Sequence, residues 1–261
     1  MPAAASFRYL LPVLVGLATL GGWEAVVRAN EIPPYILPGP ILIAETLVAD
    51  WGTLWPSLLV TLEITALALL VATVGGVALA LLFAQSRLVE LTLFPYAVVL
   101  QVTPIVAIAP LILIYVDDTR AALLICAWIV AFFPILSNTT LGLVSTDRNL
   151  LDLFRLYGAG RFRTLAWLRF PAALPYFLGG LRIAGGLCLI GAVVAEFAAG
   201  TAGSGSGLAY RILEAGYRLN VPRMYAALVM IAGVGILIFL ALTALNHLIL
   251  RRWHESARGA E

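Results

Sequence analysis

Six apolar runs divide this chain, and little lies between them. They cover residues 7–28, 56–83, 92–115, 121–144, 175–198 and 222–250, each at least as long as the ~20 residues that cross a bilayer core as a helix. Of the 261 residues, 62% are hydrophobic and 11% charged, against about 25% charged in a soluble domain. The chain therefore reads as an all-α integral membrane protein. No polar interval is long enough for a soluble domain, so residues 1–261 are expected to form a single transmembrane domain with its core at about 56–250.

The runs differ in ways that predict structure. The first follows Arg8 and has the outline of a signal peptide, but Val27-Arg28-Ala29 sets a charge where a cleavage site needs a neutral residue. A retained first span is expected. The segment PPYILPGP marks an interfacial turn, and a short amphipathic piece follows to about Trp51, with Trp51 and Trp55 as aromatic anchors at a membrane surface. The second run exceeds what a bilayer requires and predicts a tilted or projecting helix. Pro104 and Pro110 are expected to interrupt the third run.

Six spans place both termini on one side. That side carries Arg8, Arg87, Arg148, Arg155, Arg161, Arg163, Arg169, Arg251, Arg252 and Arg258. The other carries Arg28, Arg120, Arg211, Arg218 and Arg223, with Arg182 inside the membrane. Ten against five assigns the richer side to the cytoplasm.

Composition also excludes functions. The chain has no lysine, which a Walker A phosphate loop requires, so it is no P-loop ATPase. A net charge of +2 is no nucleic-acid footprint. Cys126 and Cys188 sit inside apolar runs and read as small hydrophobes. His247 and His254 lie far from both, so no metal site is expected. The glycine-rich stretch 200–207 falls on the outer side and reads as a flexible link to an amphipathic helix at 208–219. There Tyr210, Arg211, Tyr217 and Arg218 either meet an external protein or simply face water.

The one long segment with water-facing chemistry is DRNLLDLFRLYGAGRFRTLAWLRFPAALP, residues 147–175. Its spacing predicts two short helices joined at a glycine bend, with prolines opening the next span. Thr146 or Asp147 can cap the first helix. Leu150, Leu151, Leu153, Phe154 and Tyr157 give it apolar contact surface, and Gly158 permits the left-handed turn that ends it. Arg161 and Arg163 then stand ready for carboxylates or helix ends on a partner. A loop that only fixed topology would need few of these apolar residues.

Measured from Gly158, Asp152 lies six residues before and Leu168-Arg169-Phe170-Pro171 begins ten after. This resembles the loop of bacterial ABC importer permeases, whose pattern is E-A-A, three residues, Gly, nine residues, I-x-L-P. Asp152 stands for the Glu, Leu168 for the Ile, and Phe170-Pro171 for Leu-Pro. Leu153 and Phe154 depart from the two alanines. IPPYILPGP, VTPIVAIAPLILIY, FFPIL and VVAEF also look like the permeases for nitrate, sulfonate, taurine, bicarbonate, pyrimidine vitamin precursors and riboflavin. The resemblance runs from about Ile32 to Trp253. It implies a type I importer fold and a non-catalytic subunit that works as a homodimer. It also implies two cytoplasmic ATPase subunits docked on residues 145–171 and carrying ATP and Mg, and an external binding protein that delivers the solute.

Charged and polar residues inside spans are functional candidates. Glu63 lies about 10 Å into the second span, and Glu196 near the outer end of the fifth. Each either lines the path or makes an interhelical hydrogen bond, as do Gln101, Thr103 and Asn138 with its neighbours Thr139 and Thr140. Arg182 and Glu196 are about 21 Å apart along one helix and cannot pair. Two lining glutamates would slightly favour a neutral solute such as a vitamin precursor over a free anion. The glycines at 179, 180, 185, 186 and 191 suggest a close-packing face, across a dimer axis or within the bundle. The alternatives are a transporter or channel that works without ATP, which predicts midplane charge pairs or internal repeats, and a membrane enzyme, for which no nucleophile or metal constellation is present.

Overall fold

The computed structural model describes residues 2–200 and 205–251, and every regular element among them is helical. In chain order these are α1 (Pro2–Ala29), α2 (Pro40–Ala49), α3 (Trp51–Gln85), α4 (Arg87–Val102), α5 (Ile105–Tyr115) and α6 (Thr119–Val144). They are followed by α7 (Arg148–Leu156), α8 (Arg161–Thr164), a π-helical turn (Leu165–Arg169), α9 (Phe170–Ala199), α10 (Leu208–Tyr217) and α11 (Val221–Leu250). Part of the glycine link, 201–204, and Arg252, Trp253, His254 and Arg258 lie outside the described residues.

Five helices are long and apolar enough to cross a membrane, and α4 with α5 makes a sixth if that pair is counted as one span. The pair bends by 101° at Thr103-Pro104, where the proline removes a backbone donor and holds Thr103 extended. Of the two interruptions expected, only Pro104 breaks the helix. Pro110 stays inside α5.

The core is built from α3, α6 and α9, with α5 against them. Ala68, Ala72, Ala127, Ala131, Ala184 and Ala192 are fully buried in one cluster. Small residues matter here because lipid supplies no hydrophobic drive between helices, and close approach supplies dispersion instead. A Cβ on Gly142 would lie 2.8 Å from Ala173, one on Gly180 2.7 Å from the Pro134 carbonyl, and one on Gly191 2.8 Å from Ala127. The glycines of α9 thus divide. Gly180, Gly185 and Gly191 are pressed into neighbouring helices, whereas Gly179 and Gly186 face open space.

Two expectations need correction. The second span begins at Trp51 rather than residue 56, so the stacked rings of Trp51 and Trp55, 5.1 Å apart, belong to the first turns of α3. The fifth span does not start at residue 175. One continuous rod runs Arg161–Ala199, with Pro171 and Pro175 inside it. A proline ring in a regular helix collides with the carbonyl four residues back. For Pro171 that is Trp167, which lies in the π turn, where the Phe170 N–H reaches back to the Leu165 carbonyl. The widened turn makes room for the proline.

α1 stands apart from this core. None of its apolar window is buried, compared with half of α6's. It is fastened near its carboxyl end. Glu24 accepts from the Ile41 N–H and pairs with Arg28, and Trp23 packs on the ring of Tyr225.

Candidate coupling site and the polar residues of the spans

The segment between α6 and α9 folds as its local chemistry dictates. Asp147 caps α7 by accepting from the Asn149 N–H at 2.8 Å. Thr146 does not cap. It is buried, and its hydroxyl reaches back to the Leu143 carbonyl. At the other end the Ala159 N–H bonds to the Phe154 carbonyl and the Gly158 N–H to Arg155, both at 2.9 Å. Gly158 itself sits at φ +67°. This is the Schellman turn, in which a residue without a Cβ adopts the left-handed conformation free of strain.

α7 buries no side chain. Leu150 and Leu153 are each 45% exposed, Leu156 85% and Tyr157 84%, while Leu151 and Phe154 are half-buried toward the bundle. Asp152 is exposed and pairs with Arg155 at 2.9 Å. Arg161 and Arg163 lie exposed on α8. Leu168 and Pro171 are half-buried, and Phe170 remains partly exposed where the rod enters the bundle. The segment thus presents an apolar, partly basic surface at the base of a rod as long as α9 and its π turn together. The sequence reading passed over Leu156 and the largely exposed Phe162 and Trp167. A bulky apolar residue in a segment otherwise marked by arginines was the available signal.

The polar residues of the spans are largely engaged. Glu196 is 2% exposed, and its carboxylate accepts from the Ala209 N–H at 3.0 Å. Beside it Thr61 accepts from the Leu208 N–H, and Ser57 accepts from the Arg211 guanidinium. Glu196 therefore holds the first turn of α10, meeting the amide groups that a helix start leaves open. Gly207 is needed because any Cβ there would overlap the Glu196 carboxyl. Glu63 pairs with Arg120 from the start of α6, and both side chains stay partly exposed. Each acid thus holds a donor of the protein itself, so neither weighs against an anionic solute.

Thr103 and Asn138 bond to carbonyls of their own helices, and Gln101 is exposed at the α4–α5 bend. Thr139 and Thr140 are buried in the bundle. Arg182 differs from all of these. It lies 13 residues after Arg169 and 14 before Glu196 on the same rod, exposed between the open Gly179 and Gly186. Its guanidinium stands over the ring of Phe239, 5.7 Å from the centroid. No ion pair forms on it among the described residues.

On α10, Arg211 turns inward to Ser57 and Glu214, and Arg218 folds back onto Glu214. Of the four residues expected to meet an external protein, Tyr217 is turned outward, 83% exposed, and Arg218 stays largely exposed beside its pair with Glu214.

Residues 72–255 match the family of binding-protein-dependent transport system inner membrane components, and the chain belongs to that family. A probable ABC transporter permease protein of Haemophilus influenzae is 33% identical over 240 residues, covering 92% of this chain and 96% of its own length. The formylaminopyrimidine transport permease of Halalkalibacterium halodurans is 32% identical, covering 94% and 96%. The riboflavin transport system permease of Chloroflexus aurantiacus is 33% identical, covering 94% and 90%. A crystal structure of an amino acid ABC transporter superposes on 79% of this chain and 97% of its own with a TM-score of 0.62, at 20% identity. The fold is that of an ABC transporter permease, and the protein is a multi-pass component of the inner membrane.

Proposed function

We propose that the chain is the permease subunit of an ATP-driven, binding-protein-dependent importer of a small organic or anionic solute. Two copies enclose the path. Two ATPase subunits, which carry the ATP and Mg, dock on the segment around α7, and an external binding protein delivers the solute. The observation that carries this reading is α7 itself: a capped, terminated helix with an uncovered apolar surface, joined through one glycine turn to a rod that crosses the membrane. Closure of the ATPases pushes α7, and the rod passes the movement to the helices packed on it.

In this reading the segment faces the cytoplasm and the chain performs no chemistry of its own. Glu196 and Glu63 serve as fastenings of the outer end, and the path-facing charge is Arg182. A guanidinium held in the middle of a membrane is costly unless it faces water or a counter-charge, so the solute class we favour carries an acidic group, as sulfonates and taurine do. The relatives named for a pyrimidine and for riboflavin support the alternative of a vitamin precursor.

The test is co-purification from the native host in mild detergent, with wild type beside a Gly158→Pro, Asp152→Arg double variant. An ATPase retained by wild type and lost from the variant is the expected result. Absence of an ATPase under every nucleotide condition would overturn the reading in favour of transport without ATP, to be followed by measuring proton coupling at Glu63 and Glu196.

A further inference from the structure

Beneath α7, between its inward side and the end of α3, lies a half-open cavity of about 450 Å³. Arg155, Arg161 and Arg169 all line it, together with Gln85, Leu151 and Thr164, and no carboxylate does. Three like charges around one cavity repel each other, and among the described residues only Arg155 has a counter-charge, the exposed Asp152. Arg169 gives one N–H to the Ala84 carbonyl at a long 3.5 Å. Its Nε is buried without any partner, and a buried guanidinium N–H left unbonded is costly. Every one of these features is relieved by the same addition, an oxyanion with several acceptors.

We infer that this cavity binds a phosphate group at the membrane surface, held by Arg161 and Arg169 with Arg155 at the rim. A phosphate matches the planar donor forks of arginine, and basic pockets between helices at the cytoplasmic face suit phospholipid headgroups. A ligand here braces α7 against the end of α3 and so sets the stiffness of the lever. The inference borrows only the side of the membrane from the transport reading. Its test needs neither an ATPase nor a solute, so either can fail without the other.

The full chain is placed in nanodiscs of pure phosphatidylcholine, or of phosphatidylcholine mixed with phosphatidylglycerol. The thermal midpoint is followed in both while inorganic phosphate is titrated, and bound lipid is counted by native mass spectrometry. A saturable rise with phosphate in pure phosphatidylcholine identifies the free anion. A rise only with phosphatidylglycerol, with one such lipid retained per chain, identifies the headgroup. Either supports the site if Arg161→Gln with Arg169→Gln weakens the response by about tenfold or more, the worth of one charge-assisted hydrogen bond.

Should that double variant fail to fold, Gln85→Glu supplies the missing carboxylate from within. It is expected to raise the midpoint without ligand and to abolish the response. No response of wild type to either anion overturns the inference, as does an unchanged response in the foldable variants.

Discussion

The molecule carries two short amphipathic helices at opposite ends of its bundle, α7 and α10, and they are held in opposite ways. Both end in the same Schellman turn. In α10 the Asn220 N–H reaches the Ala215 carbonyl and the Leu219 N–H reaches Gly216, as Ala159 and Gly158 do in α7. But α10 is built into the bundle. Leu208, Ala209 and Ala215 are fully buried, Thr61 and Glu196 occupy its first amides, and Arg223 grips Asp50 nearby at the α2–α3 junction. α7 has a cap and a terminator of its own and fully buries no side chain. One helix is finished by its own chain, and the other leaves its apolar surface uncovered.

The sharpest way to break this contrast is to truncate one leucine on each helix. Leu208→Ala removes a fully buried side chain and should cost about 2–5 kcal/mol, read as a large fall in the thermal midpoint in detergent. Leu156→Ala, on a residue 85% exposed, should leave that midpoint in place and reduce retention of the ATPase. Equal falls for both would mean that α7 is packed, and the contrast would be gone.

Next in size is the polar fastening. Glu196→Ala leaves the Ala209 N–H buried without an acceptor and should cost about 1.5–3 kcal/mol. Limited proteolysis should then cut sooner in the link before α10 than in the segment around α7. If the two segments are cut at unchanged relative rates, Glu196 does not hold α10.

How much of this was legible beforehand follows from range. The apolar runs and the glycine stop at Gly158 are settled by residues within a turn or two of each other, and the sequence states them openly. For the cap it narrows the choice to Thr146 or Asp147. The Glu196 fastening joins residues 13 apart through a link, and Thr61 meets Leu208 across 147 positions. No local pattern marks either, which is why the sequence leaves Glu196 open between lining the path and bonding to a neighbouring helix. The start of the fifth span was misplaced for a related reason. Proline reads as a boundary in sequence, whereas here a π turn absorbs Pro171, and nothing in the composition of Leu165–Arg169 marks such a turn. Glu63 and Arg120 were both visible as charges, on the same outer side, but their pairing depends on how α3 and α6 pack.

A smaller effect belongs to the inner helix. Gly158→Val places a β-branched residue at φ +67°, a strain of about 1–3 kcal/mol. No neighbouring atom stands within 4 Å of the added Cβ, so the strain is confined to the turn. The bundle should unfold at nearly its usual temperature while α7 loses its fixed angle and ATPase retention declines.

The smallest effect tests the other terminator. Leu219 occupies the place in α10 that Gly158 holds in α7, at φ +54°, although it is a leucine and 76% exposed. A non-glycine residue in this conformation is strained by about 1–2 kcal/mol. Leu219→Gly removes that strain but adds freedom to the unfolded chain worth about 0.4–1 kcal/mol. The net expectation is a gain between zero and about 1.6 kcal/mol, seen as a small rise in the thermal midpoint. A fall instead would mean that the Leu219 side chain is packed against a further surface beside the outward Tyr217. α10 would then share with α7 a surface that its own chain leaves uncovered.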